Sequence, residues 1–286
     1  MLGLAIGQGA VWTQPLLLPA MAVAMTLSTI SITNRDLASL KAMPRPILIS
    51  LLLNYVVLGG IMLLMARWLT NDSELWAGFV VFAAMPPAIA VVPYSYMLGG
   101  NTTFSLIGIT GTYLVALGLT PAMIMLFLGA DFLNPAKLLL MLMQLIVIPL
   151  AVSRILLFKG LTQRIDKWRD IVVNWCFFIV IFTIIGLNRQ VFFGQFDVLF
   201  KIAIIAVTIT FILGHAIEFI TTRALHINRA TSISLLLMGT RKNAGLASVI
   251  ALAFLGERAA VPMAIWAIFG VLSIVWWGLY FKKKVK

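Results

Sequence analysis

Long apolar runs alternate with short polar turns along almost the whole chain. A helix needs about 20 apolar residues to cross a hydrocarbon layer about 30 Å thick. Runs at 14–33, 46–69, 75–98, 102–128, 134–158, 170–188, 196–222, 229–256 and 259–281 meet or approach that length. Residues 1–12 are apolar too. At 1.5 Å per residue they reach only about 18 Å, so they predict the truncated end of a first helix before nine full segments. Asn34–Pro46 and Thr70–Glu74 read as polar turns. Nothing alternates in the ten-residue pattern of a membrane barrel.

Two segments are interrupted. The fourth, 75–98, carries Pro86-Pro87 and then Pro93. Proline has no N–H and clashes with the preceding turn, which should free carbonyls near 82–83. Freed carbonyls are expensive in lipid, so such a break must line a cavity or pack within protein. The ninth, 229–256, is broken at Gly239-Thr240-Arg241-Lys242-Asn243, with Gly245 just beyond. Small residues allow close helix packing. Packing does not account for Arg241 or Lys242, because a charge in mid-span costs roughly 2.5–3.5 kcal/mol on insertion scales.

Composition agrees with the pattern. Of 286 residues, 62% are hydrophobic and 10% charged, and mean hydropathy is +1.07. Soluble domains carry about 25% charged residues. The expected product is an all-α polytopic membrane protein, one transmembrane domain over 1–286. Its one cysteine, Cys176, excludes an internal disulfide framework. No basic region precedes the first apolar stretch, so no cleavable signal peptide is expected. The net charge of +12 is explained by where the cations fall rather than by nucleic acid. One set of alternate loops and the C-terminus hold thirteen: Arg35, Lys41, Arg45, Lys159, Arg164, Lys167, Arg169, Arg223, Arg229, Lys282, Lys283, Lys284 and Lys286. The opposite set holds four: Arg67, Lys137, Arg189 and Arg258. The positive-inside rule then puts the C-terminus in the cytoplasm of a cell with this protein in its inner or plasma membrane.

The chain also repeats weakly. Met97-Leu98-Gly99-Gly100-Asn101 closes the first interrupted segment, and Phe254-Leu255-Gly256-Glu257 closes the second. Proline follows each in the next segment, at Pro121 and Pro262. Setting Asn101 against Glu257 brings Pro86 opposite Lys242. Repeat one would cover about 1–130 and repeat two about 133–282. Five spans per half invert the second half, and inverted repeats with broken helices point to a secondary transporter whose site lies where the breaks cross.

Lys242 has three readings: a resident cation for the freed carbonyls, an attractor of anionic substrate, or a group that exchanges protons. Arg241, about 100° away on a helix, faces a cavity or pairs with Glu218. His215 and Glu218 are spaced to touch, as an interfacial pair or a proton relay. Asn54 is a lone amide in an apolar helix. Tyr94, Ser95 and Tyr96 follow Pro93 and are candidates for a cavity lining. Trp175, Trp266, Trp276 and Trp277 read as interface anchors or packing. Nucleotide loops and metal-ligand clusters are absent, so no enzyme activity, metal or cofactor is expected.

The chain resembles the bile acid:sodium symporter family. The carriers are Arg45-Pro46, Met85-Pro86 through Tyr94-Ser95-Tyr96-Met97-Leu98-Gly99-Gly100-Asn101, and Asn243-Ala244-Gly245-Leu246-Ala247. The resemblance implies a ten-helix fold with panel and core domains, two crossing discontinuous helices, and transport of small organic anions with sodium. It implies one sodium site at positions that here hold Val91, Val92, Ser105 and Ile109. It implies a second where this chain has Asn54, Met238 and Lys242. Sodium needs oxygen ligands, and these side chains largely lack them, so the residues argue against sodium coupling there. Asn243 keeps the family's polar position beside the substrate.

The expected function is alternating-access transport of a small organic anion, bound where the breaks near 86–93 and 239–245 cross. Asn243, Lys242, Arg241, Pro86, Pro87, Tyr94 and Ser95 are the candidate substrate residues. A proton-coupled or uncoupled carrier, or a non-transporting receptor, is the alternative. The expected partners are that anion and the lipid bilayer, with no nucleic acid.

Overall fold

A computed structural model describes Gly3 and residues 7–30, 44–129 and 134–283. Most of the basic turn around Arg35 and Lys41, and the last lysines, lie outside the described residues. So does most of the stretch 1–6.

The described chain is helical, with no strand. Its helices are α1 (Gly7–Thr29), α2 (Pro44–Leu69), α3 (Ser73–Ala84) and α4 (Val91–Met97). Then come α5 (Thr102–Leu128), α6 (Pro135–Phe158), α7 (Thr162–Leu187) and the short α8 (Arg189–Gly194). The remainder are α9 (Phe196–Ala224), α10 (Arg229–Thr240), α11 (Ala244–Phe254) and α12 (Glu257–Lys283). Seven of these are long and apolar enough to cross a membrane: α1, α2, α5, α6, α7, α9 and α12. The pairs α3–α4 and α10–α11 are the two interrupted segments. Large apolar side chains stand exposed on the outer faces, among them Leu52, Val56 and Leu64 of α2 and Leu140, Ile148 and Ile155 of α6. Water would not tolerate such a surface, whereas lipid requires it.

One expectation needs correction. Residues 7–12 are not a separate helix. Gly7–Thr13 continues through a 3-10 turn at Gln14–Leu16 into Leu17–Thr29. Pro15 lies in that turn, where its missing N–H does not break the span.

Local sequence sets where the helices begin. Asp72 accepts from the Glu74 and Leu75 amides at 3.0 Å each and caps α3. Asn101, Asn134, Asn228 and Asn243 cap α5, α6, α10 and α11 through side-chain oxygens. Such caps satisfy N–H groups that have no helical partner. Gly256, with φ 90°, closes α11 in a conformation that side chains resist.

Small residues set the packing. A methyl group on Gly78 of α3 would collide with the Ala259 carbonyl of α12. Gly108 of α5 lies against the Pro46 carbonyl of α2, 2.9 Å from where a Cβ would sit. The buried tryptophans are packing residues: Trp266 stands edge-on to Phe82 at 5.1 Å, and Trp277 is fully buried. Trp175 and Trp276 are exposed, as interface anchors would be. His215 lies among Trp276, Trp277 and Tyr280, and its Nε2 accepts from the Trp276 indole at 3.1 Å. Glu218 is buried between α9 and α12, within 3.4 Å of the Tyr280 hydroxyl.

Candidate functional site

The two breaks meet. Met85–Ala90 separates α3 from α4, and Arg241–Asn243 separates α10 from α11. Pro87 and Lys242 form an isolated antiparallel bridge. The Asn243 amide donates to the Pro86 carbonyl at 3.0 Å, and the Ala88 amide to the Arg241 carbonyl at 3.3 Å. The prolines that break the first helix thus leave acceptors that the second break fills.

The freed carbonyls are 83–86 rather than 82–83. Phe82 regains a donor from the Met85 amide at 3.2 Å. The Ala83 and Met85 carbonyls accept from Lys242 Nζ at 2.6 and 2.7 Å. Ala84 accepts from the Thr120 hydroxyl at 2.7 Å. A buried carbonyl without a partner is costly, and here each one finds a donor from another element.

Lys242 is the centre of this arrangement. Its ammonium donates to Asn54 Oδ1 at 2.7 Å and to the two α3 carbonyls. The Tyr55 ring lies beneath it, 4.3 Å from nitrogen to centroid. An ammonium has three donors and no acceptor, and three acceptors are present. A neutral amine would turn a lone pair toward an oxygen, so the geometry fits the charged form. The Asn54 amide nitrogen completes the network, donating to the Met238 and Arg241 carbonyls at 3.3 and 3.2 Å. Asn54 lies in a π-helical stretch of α2, Leu52–Leu58, a widening common at functional sites.

Arg241 turns away from Lys242. Its guanidinium donates to the Gly270 carbonyl and the Ser273 hydroxyl of α12, both at 2.7 Å. It lies 5.7 Å from the Tyr94 ring centroid. Of the two expected settings for Arg241, the cavity is found and the Glu218 pair is not. Neither Arg241 nor Lys242 makes an ion pair among the described residues.

A cavity of about 260 Å³ opens beside the crossing. Tyr94, Arg241, Lys242 and Asn243 line it, with Asn174 of α7 and Ser248 of α11. Apolar walls come from α7 and α12, Phe177 and Trp266 among them. The Asn243 side chain accepts from the Leu246 amide at 2.9 Å and donates to the Tyr113 hydroxyl at 2.7 Å.

Three of the expected substrate residues do not line the cavity. Pro86 and Pro87 are used up in the bridge. Ser95 is buried between helices, sharing a 2.9 Å hydrogen bond with Ser234. The ion-site positions divide similarly. Asn54, Met238 and Lys242 form one network, in which the ammonium already takes the Asn54 oxygen and two carbonyls. Val91, Val92 and Ile109 carry no side-chain oxygen, and Ser105 is buried with its hydroxyl unpartnered. A hard cation would find one side-chain oxygen among these four, which does not fit sodium.

Tyr113, Thr120, Asn174, Ser248 and Ser273 escaped the sequence reading. Each is a polar side chain in an apolar helix, the one signal that could have marked it. That signal gives no helix rotation, and so no partner.

Two broken helices that meet beside a cavity are an arrangement found in membrane transporters. The chain belongs to the SBF-like CPA transporter family, whose model matches residues 8–279. It is a membrane transporter, in agreement with the resemblance read from its motifs. It is similar to a Bacillus subtilis (strain 168) protein named as the uncharacterized sodium-dependent transporter YocS. The two are 23% identical over 255 residues, which cover 88% of this chain and 78% of the relative.

Proposed function

We propose that the protein is a secondary carrier of a small organic anion that works without sodium. The observation that carries this reading is Lys242. Its ammonium occupies the carbonyl and amide cage between the two breaks. A fixed cation there performs the structural task of a bound ion and leaves no site for one. Arg241 and Lys242, with no acid paired to either, favour an anion in the adjacent cavity, and the apolar walls favour an organic one.

Alternating access would move a panel of α1, α6 and α7 against a core of α2–α5 and α9–α12. The seam carries apolar side chains, among them Val180 and Ile184 of the panel and Met263 and Trp266 of the core, which line one cavity. Asn243 reaches across it to the Met25 sulfur at 3.9 Å. Paired features support two inverted repeats: α3–α4 with α10–α11 as broken spans, α2 with α9 as spans holding π-helical turns, and α5 with α12, each 27 residues with an internal proline. The charge bias favours a cytoplasmic C-terminus.

The name of the Bacillus subtilis relative carries sodium dependence, and one experiment separates the readings. Purified protein is screened by thermal shift against small organic acids in sodium and in potassium buffer. Equal stabilisation by an acid in both is expected. Stabilisation that appears only in sodium would overturn the fixed-cation reading.

A further inference from the structure

We infer that the protein is an anion exchanger, moving one organic anion inward for one outward, and that it returns slowly when empty. The inference rests on the anion-carrier reading above and adds the mode of transport to it.

Fixed charge decides the mode. A carrier must pass through an occluded state twice per cycle, once loaded and once on return. Where the coupling charge is a dissolved ion, that ion leaves with the substrate and the returning carrier is relieved of it. Here the charge is covalent. Lys242 is buried, bound to Asn54, Ala83 and Met85, and cannot leave. Arg241 is buried one residue away, bound to Gly270 and Ser273. No carboxylate pairs with either among the described residues. Both residues line the same cavity, beside Tyr94 and Gly270 that the Arg241 guanidinium touches.

An occluded cavity without substrate would therefore enclose the Arg241 guanidinium, with the Lys242 ammonium close behind its wall, and no protein counter-charge for either. An anion in the cavity supplies the counter-charge where the dielectric is low and the attraction strong. The loaded carrier closes more readily than the empty one, so a second anion is needed for the return step. Net movement of one anion then requires the unfavourable empty closure. Exchange does not.

The cavity also sets the probe. Its volume of about 260 Å³ and its aromatic wall suit a single-ring acid. Benzenesulfonate is such an anion, and being permanently ionised it does not leak through lipid as a neutral acid.

The test uses the purified full chain in vesicles. Potassium is equal on both sides and valinomycin is present, so no membrane potential limits net movement. One set of vesicles contains unlabelled benzenesulfonate and the other potassium sulfate. Uptake of radiolabelled benzenesulfonate is followed in both. We expect initial uptake faster by about tenfold or more in vesicles loaded with benzenesulfonate, a threshold well below what one neutralised charge at protein-like dielectric could give. The same ratio is expected with sodium outside. Equal uptake in the two sets would overturn exchange while leaving anion transport intact. So would uptake into sulfate-loaded vesicles that a sodium gradient drives. No uptake in either set, with no thermal shift by benzenesulfonate, would overturn the anion-carrier reading and exchange with it.

Discussion

Three acceptors converge on Lys242 Nζ, and each depends on that one side chain for a buried partner. Lys242→Met removes all three donors while keeping an apolar stem. A buried polar group left without a partner costs about 1–3 kcal/mol, so a loss of several kcal/mol is expected. Thermal unfolding in detergent measures it, as a large drop in midpoint against the parent protein. An unchanged midpoint would show that the ammonium does not hold the breaks together. Asn54→Ala removes the other half of the network and should lower the midpoint as well. Because the two residues share one network, the double variant should lose less than the sum of the single losses. Asn243→Ala loses the cap of α11, worth about 1 kcal/mol, together with the Tyr113 bond. It should weaken ligand binding in the thermal-shift screen as well as stability.

Asp72 couples three elements. It caps α3, and its other oxygen meets the Arg258 guanidinium of α12, which also donates to Gln195 just before α9 at 2.7 Å. Burial alone would raise the Asp72 carboxyl. The Leu75 amide, the Arg258 guanidinium and the Glu74 amide outweigh it and hold the group below its usual carboxylate range. A lowered carboxylate adds stability above its unfolded value of about 3.9 and loses it as pH falls through the folded value. The parent protein should therefore lose stability below about pH 4 more steeply than Asp72→Asn. Melting midpoints across an acid series compare the two, and parallel curves would remove Asp72 from the acid response. Gly78→Ala tests α3 against α12 more bluntly. The added methyl meets a backbone carbonyl that cannot step aside, so reduced stability and reduced yield of folded protein are expected.

At the scale of the whole molecule, transport requires the panel to slide on the core. Met21 of α1 lies across the seam from Gly245 of α11, its sulfur 3.1 Å from where a Cβ would stand. Cysteines at these two positions, in a chain with Cys176→Ser, should form a disulfide that stops uptake and releases it on reduction. Undiminished uptake by the cross-linked protein would argue against motion at this seam. How much of this was legible in the sequence follows from what each feature depends on. Span number and the two breaks depend on hydrophobic length, on proline in the first break and on glycine and charge in the second, all of which a sequence displays directly. Lys242 was conspicuous because a cation stood in an apolar run. Its partners were less so, since the acceptors at 83 and 85 are backbone atoms with no residue signature. Ser95 misled because a hydroxyl beside a break reads the same whether it faces a cavity or another helix. Arg241 remained open between two settings because they differ by helix rotation alone. The first helix was misjudged because residues 1–12 were measured by themselves, and an apolar run too short to span looks the same whether it stands alone or continues into the next.

The order of synthesis gives the Lys242 cage a further consequence. Its acceptors precede the lysine by between 157 and 188 residues, so a growing chain completes the receptacle long before the charge arrives. The Ala83 and Met85 carbonyls opened by Pro86 and Pro87 must wait, poorly satisfied, until the stretch after α10 emerges. When it does, Lys242 has a prepared destination, and its insertion closes both defects together. The nascent protein is thus most vulnerable to quality control between those two moments, and one side chain ends that interval.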